Sequence, residues 1–250
     1  MRVALFATCL VDLFRPQAGF AAARLLEAAG CEVVVPIEQT CCGQPAWNAG
    51  DARRARAVAR HTIAVLEPYA RVVVPSGSCA GMIRHHYPAL FADDPAWRRR
   101  AEAVAARTHE LTAFLAAQGP GRLPPAPLAG PVAYHDSCSS LRELGVREEP
   151  RRLLAEVCGC EVREPEDAEG CCGFGGAFAV KFPEISARIG ADKVARLAAT
   201  GARVVLAGDL GCLLHQAGRA RRLGLPLRFF HVAEALAGMT DGPAIGEPAP

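Results

Sequence analysis

Val3-Ala4-Leu5-Phe6-Ala7-Thr8-Cys9 is answered 129 positions later by Val132-Ala133-Tyr134-His135-Asp136-Ser137-Cys138. Working outward, Gly30-Cys31-Glu32-Val33-Val34-Val35-Pro36 returns as Gly159-Cys160-Glu161-Val162-Arg163-Glu164-Pro165, again 129 apart. Cys41-Cys42-Gly43 returns as Cys171-Cys172-Gly173, and Ala70-Arg71-Val72-Val73-Val74 as Ala202-Arg203-Val204-Val205-Leu206, followed by Cys79 and Cys212. His109-Glu110-Leu111 is echoed by His231-Val232-Ala233. Five matches in one order make the chain two copies of one unit. The first copy is expected over 1–118 and the second over 131–240. A Pro/Gly linker fills 119–130, and a flexible tail follows from Asp241.

Each copy alternates short apolar runs of strand length with helical patterns. Arg2–Phe6 and Val33–Val35 read as strands, as does Val72–Val74. Pro16 opens a helix that Gly30 stops, and Asp51 caps another. Continuous apolar strands between helices are the pattern of a parallel sheet covered on both faces. The expected fold is α/β: two tandem, Rossmann-like parallel-sheet domains related by a pseudo-two-fold axis.

The 250 residues are 51% hydrophobic and 22% charged, which excludes a disordered chain, and a net charge of +2 excludes nucleic-acid binding as a default. No apolar run reaches the roughly 18–20 residues of a membrane span. The start resembles a clipped lipoprotein signal, but its apolar stretch is too short for export and reads as a strand. Eleven cysteines, an odd number with no export signal, point to a cytoplasmic protein that uses thiols for metal or redox chemistry.

Their positions carry the argument. Cys9, Cys41-Cys42 and Cys79 each follow a strand, and Cys138, Cys171-Cys172 and Cys212 repeat the arrangement. A strand–helix–strand crossover takes about 30 residues and returns the chain to the same edge of the sheet. Four thiols per copy should therefore converge at the carboxyl ends of the strands, where open α/β sheets bind ligands and helix N-termini favour anionic groups. Clustered thiolates select zinc, copper(I) or iron–sulfur clusters. A unit with its own core needs no zinc staple, so an iron–sulfur cluster is expected, with a zinc scaffold or a Cys41-Cys42 thiol–disulfide pair as alternatives. Cys31, Cys158 and Cys160 read as buried thiols. His135 is read either as packing or as a group that tunes the second site. His109 and His231 read as helix caps.

Cys-x31-Cys-Cys-Gly-x35-Cys and Cys-x32-Cys-Cys-Gly-x38-Cys resemble the paired CCG, or cysteine-rich, domains of heterodisulfide reductase B and glycolate oxidase iron–sulfur subunits. Cys41-Cys42-Gly43-Gln44-Pro45-Ala46, Ser78-Cys79, Cys171-Cys172-Gly173-Phe174-Gly175-Gly176 and Val180-Lys181 resemble more closely the lactate utilisation protein A family. That resemblance covers residues 2–238. It implies an iron–sulfur subunit of a multiprotein L-lactate-oxidising system rather than a complete enzyme, with one or two [4Fe-4S] clusters held by the eight cysteines. It implies as partners a ferredoxin-like iron–sulfur protein and a third small subunit, through which any contact with the inner membrane face would be made. A heterodisulfide reductase-like or glycolate oxidase-like subunit is the rival. The heterodisulfide reductase pattern ends each motif in Cys-x-x-Cys. Here the last position is Met82 or His215, which puts a noncubane cluster in doubt and makes His215 a candidate extra ligand.

Overall fold

The computed structural model describes residues 1–248. In the first half, β1 (Arg2–Leu5) leads through α1 (Cys9–Phe14) and α2 (Pro16–Ala28) to β2 (Glu32–Val34). Then follow α3 (Gln44–Asn48), α4 (Ala52–Leu66), β3 (Val72–Val74), α5 (Gly77–Gly81) and a wide helical turn over Met82–His86. The half closes with α6 (Tyr87–Leu90), α7 (Pro95–Ala105), β4 (Thr108–Glu110) and α8 (Leu111–Gln118). The second half runs β5 (Val132–His135), a wide helical turn over Ser139–Glu143, α9 (Glu148–Leu153) and β6 (Val162–Arg163). It continues with α10 (Ala177–Lys181), α11 (Pro183–Ala199), β7 (Val204–Ala207), α12 (Leu210–Arg222), β8 (Arg228–His231) and α13 (Val232–Leu236).

Both sheets are entirely parallel and share one strand order, β2-β1-β3-β4 and β6-β5-β7-β8. The fold is the doubled α/β architecture expected, with one addition in each half. β4 and β8 occupy the stretches read from sequence only as helix starts. Three residues of Thr-His-Glu carry no apolar run, and only pairing with β3 makes them a strand. His231 does cap α13: its Nδ1 accepts from the Ala233 amide at 3.1 Å, while Glu234 accepts from the His231 amide at 2.9 Å. In the first half Glu110, not His109, is the cap, accepting from the Ala113 amide at 2.9 Å.

The halves are joined reciprocally. The helix after the first strand of each half packs on the closing helix of the other, α2 on α13 and α9 on α8. Arg15 meets Glu234 at 2.7 Å across the first pair, and Arg152 donates to the Ala116 carbonyl at 2.8 Å across the second. One continuous core therefore contains Val3, Leu5 and Phe114 together with Tyr134, Leu206 and Phe230. α5 lies against the Ser139–Glu143 turn, and α1 against α12. Gly77 and Gly81 allow the first approach, because a Cβ at either would collide with Ser140 or Glu143. This seam sets the carboxyl ends of both sheets face to face.

The 119–130 stretch is tied down by Leu123 and Ala126, both buried, and by the Ala126 amide on the Val157 carbonyl at 2.9 Å. In the stretch from Asp241, expected to fray, one short segment is docked on the second sheet. Ala244 and Ile245 are buried, the Ile245 amide bonds the Phe229 carbonyl at 2.9 Å, and Glu247 pairs with Arg228 at 3.1 Å. Pro and Gly here break helix and strand, but they do not stop two apolar side chains from finding the sheet. The remainder of the expected tail, 249–250, lies outside the described residues.

Candidate metal centre

Every cysteine that follows a strand sits at the same end of its sheet. Cys9 and Cys212 lie in the first turns of α1 and α12, and Cys79 in that of α5. The caps hold these turns: Thr8 accepts from the Val11 amide, and Ser76 Oγ from the Cys79 amide at 3.4 Å. Cys41-Cys42 and Cys171-Cys172 occupy the loops beyond β2 and β6. The glycine after each pair has a left-handed φ, 84° at Gly43 and 88° at Gly173, a conformation that costs other residues dearly. The turn folds the Gly43 amide back onto Cys41 Sγ at 3.4 Å and the Gly173 amide onto Cys171 Sγ at 3.3 Å. At Gly173 a Cβ would also come within 2.6 Å of the Ser186 carbonyl oxygen, so the motif's glycine is required twice over.

The sulfurs gather into two nests. In the first, Cys41 lies between Cys42 and Cys9, and Cys42 in turn meets Cys79. Hydrogen bonds from the Cys42 and Cys9 thiols hold Cys41 well below the usual thiol range, so it is the sulfur most ready to be a thiolate. The same bonds, with burial, push Cys42 and Cys9 up. In the second nest Cys172 lies between Cys171 and Cys212. Cys171's hydrogen bond favours the Cys172 thiolate, but Cys212 and burial outweigh it and raise the thiol. Cys138 is the outlying member, raised by burial and by the neighbouring Cys171.

The two nests open on one space. Cys9, Cys41, Cys42 and Cys79 line a single cleft of about 350 Å³ together with Cys138, Cys171, Cys172 and Cys212. The cysteine spacing predicts one site per half and carries no signal that the sites face each other. The seam does that, and its residues are ordinary Gly and Ser. Asp209 also lines the cleft, and its Oδ2 accepts from the Ser78 amide of the other half at 2.9 Å. His86 lies opposite Glu143 at 3.4 Å, again across the halves.

Three expectations are adjusted by placement. His215, the candidate extra ligand, does not line the cleft. Its Nε2 lies 3.4 Å from the Ser186 carbonyl, in a separate groove with Pro183 and Arg219, and Phe174 stands on the cleft side of it. Met82 is fully buried among the apolar side chains around α4 and α6, and also stays out of the cleft. His135 is the histidine close to the second nest: a ring nitrogen and the sulfurs of Cys172 and Cys212 all lie within 4.8 Å of one another. Cys31, Cys158 and Cys160 are buried far from the cleft lining, in the core the halves share, as expected.

The donor set is soft sulfur, with amide N–H groups of Gly43, Gly173 and Phe174 directed at it. Such amides stabilise thiolate charge and lock the ligands' orientation. This suits zinc or an iron–sulfur cluster.

The cysteine-rich domain family, CCG, matches the chain twice, over residues 3–84 and 132–216. Lactate utilization protein A of Bacillus cytotoxicus is 44% identical over 236 residues, which is 94% of this chain and 98% of that protein. The same figures hold for lactate utilization protein A of Bacillus cereus strain G9842 and lactate utilization protein A 2 of Bacillus mycoides.

Proposed function

The chain belongs to the cysteine-rich CCG domain family, and from that premise we propose that it is the iron–sulfur electron-transfer subunit of a multiprotein L-lactate-oxidising system. The observation that carries the reading is the convergence of eight thiols from two repeats on one cleft, in a chain 44% identical to lactate utilization protein A. Cys9, Cys41, Cys42 and Cys79 would hold one [4Fe-4S] cluster, and Cys138, Cys171, Cys172 and Cys212 a second. Such clusters, when bound, supply one-electron redox chemistry.

The chain's own residues set the conditions. Gly43, Gly173 and Phe174 direct amides at three of the sulfurs. Leu10, Pro45, Phe174 and Leu210 give the cleft apolar walls. Both nests opening on one space suits electron exchange between them without an intervening domain. Partners, a ferredoxin-like iron–sulfur protein and a third small subunit, would complete the system in the cytoplasm. Among the described residues, no helix is long and apolar enough to cross a membrane.

The test is anaerobic purification with iron and acid-labile sulfide measured per chain. About eight irons mean both nests are filled and about four mean one. Stoichiometric zinc without sulfide overturns the reading. Loss of growth on lactate after deletion, in a cell with no other lactate-oxidising enzyme, tests the system assignment.

A heterodisulfide reductase-like activity is the second reading, favoured by the shared cleft. Against it stands Met82, buried where that pattern has a fifth cysteine. If Met82→Cys and His215→Cys restore a noncubane spin-resonance signature, the second reading gains.

A further inference from the structure

The two nests are not chemically equal. At the end of β1 the residue three before the nest cysteine is Phe6, wholly buried. Its counterpart at the end of β5 is His135, 1% exposed. Neither ring nitrogen of His135 has a hydrogen-bond partner, and among the described residues it is the one histidine with both nitrogens buried and unpartnered. Phe6 shows that an apolar ring suffices to pack this position. A buried imidazole whose two nitrogens satisfy nothing is destabilising, so packing does not account for it.

What lies within reach of that ring is sulfur. One of its nitrogens, Cys172 Sγ and Cys212 Sγ are mutually within 4.8 Å. A ring nitrogen this close to two of the nest sulfurs is placed to reach the same centre as they do.

We propose that His135 is a nitrogen ligand of the second centre, standing with Cys172 and Cys212 in the place of the outlying Cys138, so that this centre has mixed nitrogen and sulfur donors while the first is held by thiolates alone. The proposal rests on the iron–sulfur reading above. Replacing thiolate by neutral imidazole removes negative charge from the iron and raises its reduction potential. The second centre is therefore the electron-accepting one of the pair.

The experiment is pulsed spin resonance on the anaerobically purified full chain, grown with natural or 15N-labelled histidine, with iron and sulfide measured on the same samples. The expected result is a histidine nitrogen coupling that changes with the label, is lost in His135→Phe and persists in His86→Phe, whose target is a histidine that lines the cleft. Iron and sulfide without such a coupling, or a coupling that survives His135→Phe, overturns the proposal and leaves the iron–sulfur reading intact. Absence of iron and sulfide from the wild-type chain overturns both. If His135→Phe does not accumulate, His135→Cys takes its place: loss of the coupling supports the proposal, and its survival overturns it. His135→Cys is expected to lower the potential of one centre and leave the other unmoved.

Discussion

Asp209 Oδ2 accepts the backbone N–H of Ser78 at 2.9 Å, so the residue that caps α12 in one half also holds the first turn of α5 in the other. Ser76, the cap of α5, lies 3.3 Å from the same carboxylate oxygen. Asp209 and Ser76 stand at equivalent places after β7 and β3, so the two helices that carry Cys212 and Cys79 are pinned to each other through their caps.

Asp209→Ala is expected to lower stability by about 1–2 kcal/mol, since it leaves the part-buried Ser78 amide and the buried Ser76 hydroxyl without their shared acceptor. Asp209→Asn keeps an acceptor and should recover part of the loss. Denaturant unfolding of the two variants checks this, and equal loss in both would point to charge rather than to the hydrogen bond.

Gly77→Ala forces a methyl into Ser140 at the seam. Overpacking of this kind costs about 1–3 kcal/mol. Because the seam also brings the nests together, the iron content per chain should fall along with the melting temperature. Pairing the change with Ser140→Gly should restore both.

Cys42 and Cys172 are the most enclosed sulfurs of their nests, at 2% and 4% exposure. Cys42→Ala and Cys172→Ala are each expected to remove roughly half of the iron and sulfide, and the double variant nearly all. Cys31→Ala, which touches only core, should leave both quantities at wild-type levels. Elemental analysis after anaerobic purification gives the answer.

Glu110 is wholly buried at the head of α8, and burial raises its carboxyl from 4.5 to about 7. The folded chain therefore holds a proton that the unfolded chain has released between about pH 4.5 and 7. Stability attributable to Glu110 is full below that window and falls as pH rises through it, by about 3 kcal/mol at most. Glu110→Gln should flatten this part of the stability–pH curve, as read by unfolding at several pH values. An unchanged slope would show that another group is responsible.

Duplication, the parallel α/β class and the eight converging cysteines were all legible in the chain. The signals are local or set by chain length: apolar runs of strand length, caps such as Asp51, and a cysteine spacing equal to one crossover. Cys31, Cys158 and Cys160 were also readable as core, since they sit where strands begin rather than where they end.

Other features depended on which surfaces meet. β4 and β8 exist because a neighbouring strand pairs with them, not because Thr108-His109-Glu110 has a pattern of its own. Ala244 and Ile245 pack because Phe229 offers a free carbonyl and Ile245 an apolar side chain. His215 matched the motif's last position, yet α12 carries it into a separate groove behind Phe174. His135, on a strand rather than in the motif, is the histidine beside the sulfurs. The facing of the two nests came from the Gly77–Ser140 contact and the Asp209 cap. Residue identities specify what each half can bind, whereas the approach of the halves is set by complementary surfaces far apart in sequence, which no local spacing encodes.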